Sequence, residues 1–169
     1  MNSVPALHST PTIPPFAWAV AGALVATLLD LTFASVYWLV LHHLSPERVM
    51  QSIAANWGWG RDAYRGGFDT AALGAGLFFA RMVLLAVIYQ LAARRYTALV
   101  ERPYTWGALF GLAIYFSNKY VVVPLIGVMP QTASADKDLA WMYSCILAHM
   151  LLIGIPLALF ARSSARDDG

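Results

Sequence analysis

The chain has 169 residues, of which 59% are hydrophobic and 12% are charged. Soluble domains carry about 25% charged residues, so roughly half of the usual charge is missing and the composition indicates an integral membrane protein. The net charge of +2 does not indicate a nucleic-acid-binding protein, and the single cysteine, Cys145, excludes an intrachain disulfide.

The N-terminal part of the chain changes from a polar segment to a long apolar one. Residues 1–15 are polar and rich in proline, which predicts a flexible tail. The apolar run at about 16–43 is long enough to span a membrane and too long for a secretory signal, so we expect it to be retained as the first span. The only formally charged residue between Phe16 and Leu41 is Asp30. It lies on a strip of small residues at spacing four, so it is expected to face another helix.

The segment after this span has the pattern of a short amphipathic helix. Ser45 suits an N-cap, Pro46 the first helical position, and Glu47 the first turn. Apolar residues then share one face over about 46–57, which is too short to cross a membrane. We expect this helix to lie at the membrane interface.

Three further apolar segments, at about 70–93, 104–128 and 139–161, predict three more spans, and 162–169 predicts a polar C-terminal tail. The predicted fold is all-α: a single domain at 16–161 that is a four-helix transmembrane bundle with one short interfacial amphipathic helix after the first span. Four spans place both termini on one side. Arginines near the span ends favour the cytoplasm for that side.

Each predicted span carries one ionisable residue near its middle: Asp30, Arg81, Lys119 and His149. An Asp, Arg or Lys at a helix centre costs about 2.5 to 3.5 kcal/mol on insertion scales, so isolated charges are driven together. We expect a polar layer in which Asp30 pairs with Arg81 or Lys119 and a neutral His149 lies nearby. The surplus cation leaves three alternatives: Lys119 is deprotonated, Lys119 reaches the interface, or an anion is bound.

This polar layer has three interpretations. It fixes helix packing, which is the leading one, or it forms a path for a proton, an ion or a small solute, or it ligates a metal or haem. Cys145 and His149 share a helix face, but two ligands do not make a metal site, so no metal and no cofactor is predicted. Gly107 and Gly111 form a GxxxG pair that predicts close helix contact, either within the bundle or between copies.

The sequence also resembles a known family. The strings ATLLDL (26–31), SPERVMQSIAANWGWGRDAYRGGFDTAALG (45–74), VVVPL (121–125) and AHMLLIGIPLALFARS (148–163) resemble a family of small, uncharacterised bacterial inner-membrane proteins with four helices. The resemblance covers about 22–162. It implies this architecture and a bacterial inner-membrane location, but no activity. The positions that match the family pattern are Asp30, Gln51, Gly67, Pro124, His149 and Pro156.

Two positions depart from the family pattern, which has a histidine where Phe78 stands and an asparagine where Lys119 stands. The first difference argues against a histidine pair or metal site that the family would share.

Together these features predict a multi-pass membrane protein with a structural or partner-binding role, whose partners are the lipid bilayer and either a second copy or another membrane protein. The alternative is a small proton- or solute-conducting protein that uses the polar layer. The sequence contains no phosphate-binding loop, HExxH motif or nucleophile elbow, so we predict that the protein is not an enzyme.

Overall fold

The computed structural model describes residues 13–127 and 138–167, and in these ranges the regular elements are helical and no strand occurs. The predicted tail before residue 13, the third loop at 128–137 and residues 168–169 lie outside the described residues. Four helical segments are long and apolar enough to cross a membrane, which confirms the all-α four-span prediction. They are span 1 (Pro15–His42), span 2 (Gly67–Arg95), span 3 (Pro103–Leu125) and span 4 (Leu139–Asp167).

Spans 3 and 4 are each built from several helical segments, and α2 follows span 1. In chain order the α-helices are α1 (Pro15–His42), α2 (Pro46–Ala54), α3 (Gly67–Arg95), α4 (Ala98–Glu101), α5 (Pro103–Ser117), α6 (Val123–Ile126), α7 (Leu139–Ala148) and α8 (Ile155–Asp167). In the described ranges they are joined by π-helical segments at Ala55–Trp59, Asn118–Val122 and His149–Gly154 and by a 3₁₀ segment at Gly60–Arg65; the first of these segments is kinked at Trp57 and Gly58.

Two of the π-helical segments are explained by prolines that follow them. Pro124 and Pro156 are the second residues of α6 and α8. A proline inside a helix lacks the N–H that would bond four residues back, and its ring clashes with the carbonyl there. The backbone before each proline therefore widens into a π turn, at Asn118–Val122 and at His149–Gly154.

Span 4 is longer than predicted, because α8 continues to Asp167 where a polar tail was expected from residue 162. The Asp167 carboxylate explains the extension. One of its oxygens accepts hydrogen bonds from the backbone N–H of Ile13, at 3.0 Å, and from the indole N–H of Trp18, at 3.3 Å. The end of span 4 is thereby tied to the start of span 1.

The amphipathic helix α2 begins as predicted, with the Ser45 hydroxyl accepting from the Arg48 N–H at 3.3 Å. It packs closely on span 2: a methyl group on Gly74 would overlap the Met50 carbonyl. The buried Gln51 amide donates to the Glu47 carboxylate at 3.1 Å and to the Gly67 carbonyl at 3.0 Å. These contacts hold α2 against the first turns of span 2.

The glycine pair of span 3 packs against span 4 of the same chain. Gly107 lies against Gly154 and Ala158, and Gly111 lies so close to the His149 carbonyl that a methyl group there would overlap it. Both glycines are therefore used for close helix contact inside the bundle, and span 4 covers this face.

Candidate functional site

Asp30 and His149 line the same cavity inside the bundle. This inner cavity, of about 170 Å³, lies between span 1, α2 and span 4, with Phe78 of span 2 in its wall. Its polar and thiol-bearing lining residues are Asp30, Ser52, Cys145 and His149. Asp30 is only 8% exposed, as its place on the small-residue strip predicts.

The hydrogen bond of His149 defines the state of its ring. Nδ1 lies 2.9 Å from the Cys145 carbonyl, which can only accept, so Nδ1 carries the proton and donates. In a neutral ring Nε2 then keeps its lone pair, and no second hydrogen bond to this ring occurs among the described residues. The His149 and Tyr115 rings pack edge to face, with their centroids 5.5 Å apart. The ring is therefore fixed while one nitrogen is able to exchange a proton.

Arg81 lies close to Asp30 without touching it. The two side chains interact electrostatically, but no ion pair within 4.0 Å joins them in the described part of the chain. They line different cavities: Asp30 faces the inner cavity, whereas Arg81 lines a lateral cavity between spans 2 and 3. The predicted direct Asp30–Arg81 pair is therefore not formed.

Lys119 lies apart from the other three residues. Span 3 runs antiparallel to span 4, with Gly111 beside His149. Lys119 comes eight residues after Gly111, about 12 Å farther along the helix axis. It belongs to the π-helical segment Asn118–Val122 and its ammonium lies 5.8 Å from the Tyr120 ring centroid. The structure thus brings Asp30 and His149 together, places Arg81 beside them and leaves Lys119 outside this layer.

A second, larger cavity lies on the side of the bundle where α2 is. This outer cavity, of about 640 Å³, is mostly apolar. Arg48 and Tyr64 stand at its edge, where the Arg48 guanidinium donates to the Tyr64 carbonyl at 3.2 Å. Its lining residues are Trp38, Leu44, Arg48, Val49, Ser52, Tyr64 and Trp141.

The outer and inner cavities have a common wall. Trp38, Val49, Ser52 and Trp141 line both of them. These four side chains therefore stand between the outer cavity and the cavity that Asp30 lines.

Trp141 is the centre of an aromatic cluster in this wall. Its ring centroid lies 4.6 Å from that of Tyr37, 5.0 Å from that of Trp38 and 6.2 Å from that of Phe33. The Asp138 carboxylate caps the start of α7 by accepting from the Trp141 N–H at 2.9 Å. The start of span 4 is thereby held against span 1.

Sequence reasoning did not identify the residues of this wall. Trp38 and Trp141 match the usual pattern of tryptophans at membrane interfaces, and Ser52 matches the polar face of α2. Only the packing of α2 between spans 1 and 2 turns Ser52 toward Asp30. The sequence feature that could have pointed to this wall is Val49, because it belongs to the predicted apolar face of α2 and lines both cavities.

In the described ranges, no group of three or more His, Cys, Asp or Glu side chains is placed to hold a metal ion. No known protein family, curated protein or solved structure matches this chain. The resemblance to a four-helix bacterial family therefore stays a prediction.

Proposed function

We propose that this membrane protein conducts protons or a small solute, and that the inner cavity at Asp30 and His149 is its working site. The observation that carries this proposal is the wall common to the outer and inner cavities, at Trp38, Val49, Ser52 and Trp141. A polar group used only for helix packing would be expected in a dry helix contact. Asp30 instead lines a cavity that shares a wall with the outer cavity, and in this proposal the path passes between the side chains of that wall.

The two site residues suit proton exchange because a carboxyl group and an imidazole, which both bind and release protons, line one cavity. Asp30 makes no hydrogen bond or ion pair with the described residues, and its carboxylate is therefore available to water or solute. His149 offers Nε2 as an acceptor while Nδ1 stays bonded to the Cys145 carbonyl. The inner cavity, at about 170 Å³, has the volume of about six water molecules at ~30 Å³ each, which is enough for a short chain of water between Asp30 and His149.

The structure is closed on the other side of the site. A core of small and branched apolar residues fills the bundle between Asp30 and the chain termini; its members include Ala19, Ala23, Ala26, Met82, Ala86, Ile153 and Leu157. One turn from Asp30 in that direction, the buried Thr27 hydroxyl has no hydrogen-bond partner among the described residues. In this proposal the structure represents the state in which the inner cavity is reached from the α2 side. A proton or solute can cross the protein only if the packed core around Thr27 opens.

Proton flux into liposomes tests the proposal. Purified protein is reconstituted with an internal pH dye, and a potassium gradient with valinomycin supplies the driving force. We expect flux above that of empty vesicles, and a decrease of about tenfold or more for Asp30→Asn, because the amide cannot release a proton. Asp62→Asn is the matched control, since Asp62 is exposed in the 3₁₀ segment, 3.8 Å from Arg65. Flux equal to that of empty vesicles, or unchanged flux in Asp30→Asn, would contradict proton conduction.

The structural or partner-binding role stays a prediction of the sequence. It predicts that a partner co-purifies in mild detergent and that flux is absent. The covered glycine face at Gly107 and Gly111 removes one surface from this alternative, because span 4 of the same chain occupies it.

We also propose that the protein resides in a bacterial inner membrane with both termini in the cytoplasm. The arginines next to the ends of spans 2 and 3, Arg94, Arg95 and Arg102, support this orientation. A protease-sensitive tag at the C-terminus that is cut in inside-out vesicles and protected in spheroplasts would agree with it. The reverse pattern would overturn it.

A further inference from the structure

The lateral cavity is a second space in the bundle that the proposed function does not use. It has a volume of about 310 Å³ and lies between spans 2 and 3, with the π-helical segment after α2 at one end. Its lining includes Trp57, Arg81, Leu84, Phe110, Ala113 and Ser117. Leu84, Ala113 and Ser117 are exposed on the surface of the bundle, so the cavity is open to the side that faces lipid.

Arg81 is the one charged group in this lining. Its guanidinium has five N–H donors, and none of them makes a hydrogen bond or ion pair with the described residues. Arg81 stands at the centre of the 29-residue helix α3, where a cation is costly. Among the described residues, the charge of opposite sign that interacts with Arg81 is Asp30, which Arg81 does not touch.

We propose that the lateral cavity binds the carboxylate of a single-chain, lipid-soluble acid, such as a free fatty acid, with the carboxylate on Arg81. A guanidinium presents two parallel N–H groups that match the two oxygens of a carboxylate. The remaining lining is mostly apolar and aromatic, which suits a hydrocarbon chain between Leu84 and Phe110. Ser117 adds a hydroxyl near the opening.

The depth of Arg81 favours a free acid over a phospholipid. The hydrocarbon core is about 30 Å thick, so a group at its centre is about 15 Å from either headgroup layer. A phospholipid phosphate stays in the headgroup layer with two chains attached, whereas a single-chain acid enters the core in its protonated form and gives its proton to water at the opening of the cavity when the carboxylate pairs with Arg81.

Binding can be measured by quenching of Trp57, which lines this cavity. The protein is placed in nanodiscs of zwitterionic lipid and titrated with decanoate that carries bromine on its chain. We expect saturable quenching that unlabelled decanoate reverses and that decanol and methyl decanoate do not. Trp57→Phe should remove the saturable part of the signal.

Two variants test the role of the guanidinium. Arg81→Gln should weaken decanoate binding about tenfold or more, because a hydrogen-bonded charge pair is lost. Ser52→Ala, in the inner cavity, should bind as the wild type does, and Asp30→Asn should bind at least as tightly, because the neighbouring negative charge is gone. The last variant separates this proposal from proton conduction, which Asp30→Asn should lower about tenfold or more.

Competition in the unmodified protein keeps the proposal testable if Arg81→Gln fails to fold. Equal displacement by decanoate and by methyl decanoate would overturn the carboxylate site. Displacement by an anionic phospholipid at equal concentration would assign the cavity to a lipid phosphate instead, and quenching without saturation would show partitioning only.

Discussion

The two halves of this bundle are built differently. The terminal half contains the span ends at Pro15, Arg95, Pro103 and Asp167, and the α2 half contains those at His42, Gly67, Leu125 and Leu139. In the terminal half, small residues bring helices into close contact: Gly22 lies under Phe160, and Gly107 lies on Gly154. The α2 half holds the outer cavity and the π-helical segment Asn118–Val122 that precedes Pro124.

The difference shows that hydrophobicity alone does not close a bundle. Both halves are apolar, but in the terminal half the contacts are made by alanine and glycine, which let helix backbones approach. In the α2 half, α2 itself packs closely on span 2 at Gly74, but large rings such as Trp38 and Trp141 line the outer and inner cavities. The terminal half is tightly packed, and the α2 half contains the space that the proposed function uses.

The largest expected effect comes from a bulky substitution at a helix contact in the terminal half. Gly107→Leu should destabilise the protein by about 3 kcal/mol, at the upper end for overpacking, because a Cβ there already lies 2.8 Å from the Gly154 carbonyl oxygen. Unfolding by a denaturing detergent measures this. Gly76→Leu is the matched control, since a Cβ at Gly76 meets nothing within 4 Å. Equal loss in the two variants would contradict the tight contact.

A smaller effect is expected when the wall between the outer and inner cavities, in the α2 half, loses one of its large side chains. Trp141→Ala removes the ring that contacts Phe33, Tyr37 and Trp38. We expect a several-fold faster reaction of Cys145 with a small thiol reagent, since Cys145 lines the inner cavity behind that ring. Trp106→Ala, at the terminal end of span 3, should leave the rate unchanged. A rate that does not respond to Trp141→Ala would mean that the wall is elsewhere.

The smallest expected effects concern two buried amides. Gln51→Leu should cost about 1 to 2 kcal/mol, because the Glu47 carboxylate and the Gly67 carbonyl each lose the hydrogen bond from the Gln51 amide. Gln90→Leu should be neutral or stabilising, because the buried Gln90 amide nitrogen has no hydrogen-bond partner among the described residues. The same detergent titration compares the two. A larger cost for Gln90→Leu than for Gln51→Leu would reverse this ordering.

Much of the architecture could be predicted from the sequence, because hydrophobic length and capping residues act locally. The spans, the Ser45 cap of α2 and the inward face of Asp30 follow from such local patterns. The composition of the site could not be predicted in the same way. The prediction that Lys119 belongs to the layer assumed that the middle of every span lies at one depth. In the structure, Gly111 of span 3 lies at the level of His149, and Lys119 is eight residues farther along the span.

Whether Asp30 pairs with Arg81 depends on the rotation of each helix about its axis, which a single sequence does not specify. Arg81 turns toward span 3 and lines the lateral cavity. Ser52 reaches the site only because α2 folds back against span 2 at Gly74. Both are tertiary effects that override the local pattern.

The central claim is that the Asp30–His149 cavity is reached from the α2 side and closed from the terminal side. Cys145, the single cysteine of the chain, lines that cavity and reports on it directly. The measurement is its modification by a membrane-impermeant methanethiosulfonate in vesicles whose orientation is fixed by a C-terminal tag, with N-ethylmaleimide as the permeant reference. The account predicts modification from the side opposite the C-terminus and none from the side of the C-terminus. Modification from the C-terminal side, or none from either side while N-ethylmaleimide reacts, would contradict it.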